Sequence, residues 1–241
     1  MKRIFVVNFN GGNFQLTGPE HSHLFTVLKV KAGERVTVLC GDEYDYTYEI
    51  TAITNKSANL RFIDKRANDK NPEIPLTVYV ALVKVDTLAL IVQKLNELGV
   101  TEVIPFTSAN SNLTPAAVNI TKLNSIAQQS CKQCGRSKPL IVRGVLTFEQ
   151  VCNGIKMFDK VLFANEGDRK HLIGEQALMA RKKNIIMKNA LIVGTAGGFL
   201  PYERERLCKL CTSVSLGKRI LRSETAAIAA ATIMMSKLGE I

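Results

Sequence analysis

From Leu76 onward the chain alternates short apolar runs with stretches of helical spacing, and this constrains its fold more than any other feature. "LTVYVALV" (76–83) is an apolar run that reads as a strand. In "DTLALIVQKLNELG", Leu88, Ile91, Val92, Leu95 and Leu98 recur at helical spacing, and the pattern closes on Gly99. "VTEVIPF" is a second strand, and a further helix covers about 119–134 before the basic loop "GRSKPL". "KVLFAN" (160–165), "ALIVG" (190–194) and "SVSLG" (213–217) are later strands. "SETAAIAAATIMMSKL" is an Ala-rich helix with Ser223 and Glu224 near its start. Strands alternating with helices imply an α/β domain with a mostly parallel sheet.

The first 65 residues follow another rhythm. "RIFVV", "ERVTVLC", "YTYEITAI" and "SANLRFI" read as strands, with turns at Ala32-Gly33 and at Cys40-Gly41-Asp42. "HSHLFTVL" (21–28) fits a short helix. The strand count suggests a small barrel-like module. "KRANDKNPEIP" (65–75), polar and with two prolines, reads as a linker. The expected boundaries are 1–68, a linker at 69–75, and 76–241.

No apolar run approaches the length needed to span a membrane, and "MKRIFVVNFN" is too short in its apolar part for a signal peptide. A cytoplasmic location is the expectation. The formal net charge is +11, unevenly spread. Residues 1–70 carry 10 Lys/Arg against 8 Asp/Glu, and residues 71–241 carry 22 against 13. That surplus favours a polyanionic partner, nucleic acid first.

Two C-x-x-C pairs, Cys131/Cys134 and Cys208/Cys211, lie 74 positions apart, beyond the usual spacing of zinc half-sites, so reduced thiols and no metal are expected. The three histidines make no metal spacing, and neither a Gly-x-Ser-x-Gly elbow nor a His-Glu-x-x-His motif occurs.

"LIVGTAGGFLPYE" (191–203) places Gly194, Gly197 and Gly198 just after a strand. The spacing matches neither the P-loop nor the dinucleotide fingerprint. Glycines there still allow a ligand to press on backbone, at the sheet edge where α/β proteins bind ligands; a plain tight turn is the other reading. In "SLGKRILRSETAAIAA" (215–230), Lys218, Arg219 and Arg222 precede a helix whose dipole they oppose, which suits a polyanion contact.

Five stretches in order resemble the RsmE family of 16S ribosomal RNA uracil-N3-methyltransferases, of the SPOUT class. They are "RIFVV", "HSHLFTVLKVKAGE", "VKVDTLALIVQKLNELGV", "QCGRSK" and "GTAGGFLPYE…SLGKRILRSETAAIAA". The resemblance implies a PUA-like β-barrel at 1–68 and a SPOUT α/β domain with a deep trefoil knot. It also implies a homodimer, S-adenosylmethionine as methyl donor, and uracil 1498 of 16S rRNA in the small ribosomal subunit as target. By position, the resemblance assigns the cofactor pocket to Ala164, Asn165 and Glu166, to Gly194, Gly197 and Gly198, and to Leu216, Gly217, Ile220, Leu221 and Thr225. It puts Arg219 and Arg222 at the reacting end, and Arg3, His23, Lys29, Lys84 and Arg136 toward RNA. Where the family pattern has Gly-Pro-Glu-Gly-Gly, this chain has Thr195 and Ala196 in the second and third places. Lys132 stands at an acidic position, and Asn110 ends the stretch that otherwise reads Ser-Glu-Arg.

Overall fold

A computed structural model describes residues 2–7, 9, 11–111, 113–182 and 185–241. It divides into two units: Met1–Asn71 with Gln128–Pro139, and Pro72–Ala127 with Leu140–Ile241. The division at Asn71/Pro72 falls within the polar segment 69–75.

The first unit holds β1 (Lys2–Phe5), β2 (Phe14–Leu16), α1 (Gly18–Ser22), β3 (Arg35–Leu39), β4 (Tyr44–Ile53) and β5 (Ala58–Ala67). The strands form one sheet in the order β1-β3-β4-β5-β2. β1 pairs with β3 in parallel, and the other neighbours are antiparallel. Ile4, Leu16, Leu24, Val36, Val38, Tyr48, Ile50 and Leu60 form its core. Two features differ from expectation. β2 is only three residues long, too short to show alternation. The helix anticipated at 21–28 starts earlier, with Pro19 in its first turn, and gives way to a π-helical turn over His23–Val27.

The second unit contains β6 (Leu76–Ala81), α2 (Val85–Glu97) and β7 (Glu102–Thr107), followed by α3 (Ile120–Cys134), whose residues from Gln128 on group with the first unit. Then come β8 (Ile141–Val142), β9 (Leu146–Thr147), α4 (Phe148–Gly154) and β10 (Lys160–Ala164). A small antiparallel pair, β11 (Arg181–Lys182) and β12 (Ile185–Ile186), precedes β13 (Asn189–Val193), α5 (Pro201–Leu210), β14 (Thr212–Val214) and α6 (Ser223–Leu238).

The main sheet is parallel, in the order β14-β10-β13-β6-β7-β8, with β9 also paired to β7. Period-two alternation sorts its side chains onto two faces. Leu76, Val78, Val80, Leu162, Leu191 and Val193 join α2 and α6 in one core. Tyr79, Ala81, Phe163, Ala190 and Ile192 join α4 and α5 in the other. α6 meets the first core through Ala227, Ala230, Ala231, Met234, Met235 and Leu238, the i, i+3, i+4 stripe of a core-facing helix. Just past α6, Glu240 Oε1 accepts the Ile74 N–H at 2.6 Å and the Glu73 N–H at 3.0 Å, tying the end of the unit to its beginning. Among the described residues no helix is long and apolar enough to cross a membrane.

Candidate active site

β10, β13 and β14 are parallel neighbours, so the loops leaving their carboxyl ends emerge along one sheet edge. Those loops enclose a cleft with about 580 Å³ of space, part of it open to solvent. Ligands of open α/β sheets bind at such edges.

The loop after β10 contributes Ala164, Asn165 and Glu166. Asn165 is buried, and its side chain does three things. Its Oδ1 accepts the Gly167 N–H at 3.0 Å, and its Nδ2 donates to Ser213 Oγ at 3.0 Å and lies 3.9 Å from Cys208 Sγ. Ser213 Oγ in turn donates to Asp168 Oδ2 at 2.7 Å. Asp168 also accepts the Lys170 and His171 N–H groups at 3.0 Å and pairs with His171 Nδ1 at 3.0 Å. Burial alone would raise the Asp168 carboxyl; the bonds from Ser213, His171 and the two backbone amides outweigh it and hold the group well below the usual carboxylate range. This network binds the β10 loop to β14.

The loop after β13 contributes Gly194, Thr195, Gly198 and Phe199. A β-carbon at Gly194 would stand 2.6 Å from the Phe199 ring. That ring is itself hemmed in by Phe106, Phe163 and Phe148, at centroid distances of 6.3, 5.2 and 6.4 Å. Gly198 has φ +65°, a left-handed conformation that side chains disfavour, and a β-carbon there would strike the Glu166 carboxylate. Glycine at 194 and 198 thus lets Phe199 and Glu166 close against the loop.

The segment after β14 contributes Leu216, Gly217, Arg219 and Leu221, and α6 adds Ser223 and Ala226. β14 ends at Val214, three residues earlier than the pattern suggests. Ser215 instead bridges to Leu172, and its Oγ accepts the Gly217 N–H at 3.2 Å. Ser223 Oγ borders the cleft, is buried, and has no hydrogen-bond partner among the described residues. Buried hydroxyls are usually satisfied, so an unsatisfied one at a cleft wall fits a site completed by a ligand.

Of the residues assigned by resemblance, Ala164, Asn165, Glu166, Gly194, Gly198, Leu216, Gly217, Leu221 and Arg219 converge on this cleft. Gly197, Ile220, Thr225 and Arg222 do not line it. All four are exposed, Ile220 at 80%, and Arg222 stands at the start of α6. Lys84 is exposed at the start of α2. In the first unit Lys29 is exposed, with φ +48°, and Arg3 and His23 are half-buried. Arg136 is 3% exposed, so its guanidinium is not presented to solvent as an RNA contact would require. Lys132 pairs with Glu20 at 2.8 Å within the same unit, and this acidic partner accounts for a cation there.

Sequence reasoning missed Phe199, Arg204 and Ser223 in the lining. Phe199 directly follows the glycines. Arg204 lies one turn into α5, and its Nη2 donates to Phe199 O at 3.3 Å. Among the described residues no group of three or more His, Cys, Asp or Glu side chains is placed to hold a metal ion.

With fold and cleft in view, the class follows: the chain belongs to the RNA methyltransferase domain family, whose pattern matches residues 69–235, and an RNA methyltransferase PUA domain matches residues 16–63. It is an RNA methyltransferase. More particularly, it is similar to the ribosomal RNA small subunit methyltransferase E of Bacillus subtilis, at 29% identity over 223 residues, covering 88% of this chain and 86% of the relative. The protein of the same name from Rickettsia conorii is 28% identical over 220 residues, covering 90% and 86%. Among solved structures, a putative methyltransferase from Legionella pneumophila in complex with the cofactor SAM superposes with a TM-score of 0.85 at 22% identity, covering 97% and 96% of the two chains. A ribosomal RNA small subunit methyltransferase E from Neisseria gonorrhoeae, bound to S-adenosyl methionine, gives 0.79 at 23%, covering 98% and 97%. These two likenesses concern the fold.

Proposed function

We propose that this protein uses S-adenosylmethionine to methylate N3 of a uridine in 16S rRNA, uracil 1498 by resemblance, within the small ribosomal subunit. In this reading it works as a cytoplasmic homodimer, and the three cleft loops belong to a trefoil knot. The observation that carries the proposal is the cleft itself: three strand-end loops, a glycine wall closed by Glu166 and Phe199, and the buried, unsatisfied Ser223 Oγ.

S-adenosylmethionine held in the cleft would supply an electrophilic sulfonium methyl for a uracil N3 whose imide proton passes to water. The chain's part is alignment and electrostatics. At Gly217, on the cleft wall, a β-carbon would meet nothing within 4 Å, so a ligand can approach the backbone there. Arg219, exposed on the cleft wall, offers a cation to the negative charge that grows on the uracil oxygens. Exposed Arg222, with Lys218, suits the flanking phosphates. The β-rich unit adds RNA-facing cations, Lys29 foremost, being exposed.

Calorimetry with S-adenosylmethionine tests the cleft, and nucleoside mass spectrometry of 16S rRNA from cells lacking the protein tests the target. Binding together with loss of N3-methyluridine is expected. Binding with N3-methyluridine retained would shift the target to another RNA nucleotide. No binding would indicate a non-catalytic RNA-binding protein.

A further inference from the structure

The glycine loop at Gly197-Gly198 has an unusual anchor. Two successive glycines sample more backbone conformations than any other pair, so holding them in one costs conformational entropy. Within the loop, the Gly198 N–H donates to Thr195 O at 2.9 Å. Thr195 Oγ1 also donates to Gly198 O, at a long 3.4 Å, and the shorter bonds to the two carbonyls come from elsewhere. Asn110, just beyond the end of β7 and 87 residues earlier in sequence than Gly197, donates from Nδ2 to Gly197 O at 2.9 Å and to Gly198 O at 3.2 Å. An amide nitrogen carries two hydrogens, so one side chain can make both bonds at once. With both carbonyls engaged, the two peptide planes flanking Gly198 cannot rotate freely.

Asn110 is in turn fixed. Its turn is closed by Ser111 N–H donating to Ser108 O at 3.0 Å and Ser108 N–H donating to Ser111 Oγ at 2.9 Å. The Ala109 N–H donates to Glu203 Oε1 at 2.9 Å, and the other oxygen of that carboxylate accepts the Leu200 N–H at 3.0 Å. Glu203 is 1% exposed. It is the third residue of α5, where the helix dipole favours a carboxylate. One buried carboxylate therefore ties the turn that carries Asn110 to the exit of the glycine loop.

Resting on the function proposed above, we infer that Asn110 is the positioning residue of the methyl-donor loop. Asn110 does not line the cleft. It acts through Gly197 and Gly198, setting the loop in its binding form before the donor arrives, so that binding does not bear the cost of ordering it. Gly197 is exposed and Asn110 half-exposed, so water can reach the Gly197 carbonyl once it is released, and Asn110 is not part of the Phe199 cluster.

The test uses the full chain with Asn110→Ala and the near-isosteric Asn110→Asp, which can accept but not donate. S-adenosylmethionine affinity is measured by calorimetry, KM and kcat by methyl transfer to small ribosomal subunits, and folding by thermal melting. Losing two neutral hydrogen bonds is expected to raise Kd and KM for the donor about tenfold in both variants. The melting temperature should hold within about 2 °C and kcat change little, the pattern of lost uniform binding. Donor affinity within twofold of the parent protein in either folded variant overturns the inference and leaves the cleft reading intact. Collapse of the fold in both variants also overturns it, by making the residue structural. Failure of the parent protein to bind the donor removes the cleft reading, and this inference with it.

Discussion

Gly194→Ala is the sharpest probe of the cleft wall. Backbone strain plays no part, because Gly194 is not among the positive-φ glycines. The cost is steric. The new methyl would lie 2.6 Å from Phe199 Cε2 and 3.0 Å from Cδ2, against an ordinary carbon–carbon contact near 3.5–4.0 Å. Phe199 is 5% exposed and walled in by Phe106, Phe163 and Phe148, so relief requires moving packed rings or the loop. Overpacking of this kind costs about 1–3 kcal/mol. For a chain of this size each kcal/mol lowers the melting point roughly 2–4 °C, so a fall of roughly 2–12 °C is expected. Donor affinity should fall as well, since both residues line the cleft. A double-mutant cycle with Phe199→Leu, measured by urea unfolding, isolates the clash: the alanine should cost at least about 0.5 kcal/mol less when the ring is already replaced by the smaller side chain. Full additivity, or an alanine at 194 that costs nothing, would refute the steric account.

Three further outcomes are expected. Asp168→Asn should lose about 1–3 kcal/mol at neutral pH, the scale for a charged hydrogen-bonded group. The folded carboxyl holds its proton more weakly than the unfolded one, so its stabilisation is present at neutral pH and is lost as pH drops below about 4. The variant's acid unfolding curve should therefore be flatter, and parallel curves would contradict the network. In native protein at pH 8, iodoacetamide should modify exposed Cys208 well before Cys211, which burial, with smaller effects of Cys152 and Cys208, pushes up to about 12, and before buried Cys131 and Cys152; peptide mass spectrometry showing equal rates at 208 and 211 would oppose this. Arg222→Ala, at the position set against a flanking phosphate, should lower the salt slope of RNA binding by about 0.7–0.9. An unchanged slope would place the RNA elsewhere.

The α/β class was legible because the strands announce it one at a time. Residues 76–83 read as one unbroken apolar strand, and the structure buries the Leu76/Val78/Val80 and Tyr79/Ala81 sets on its two faces. Helix ends were legible where chemistry marks them: Gly99 follows α2, and Pro201 opens α5. Strand order was not, because placing β10 between β13 and β14 depends on contacts distant in sequence, about which periodicity is silent. The same holds in the site. The glycines marked the loop, but Asn165–Ser213 and Asn110–Gly197 join residues 48 and 87 apart. α4 went unread although Thr147 and Gln150 form a capping box, since its seven residues are too few for a helical stripe. Arg136 shows the limit of counting charge: composition gives the sign of a side chain but not whether it meets water.

The bond between Glu240 and Ile74 also has a kinetic meaning. Closing a loop of 166 residues is entropically costly at the moment it must happen, and topologies rich in such contacts fold slowly. During synthesis β6 and α2 emerge long before α6, so the part of that face which α6 covers stays exposed until late. A ribosome-bound chain halted before residue 223 should be protease-sensitive, and extension through α6 should bring protection.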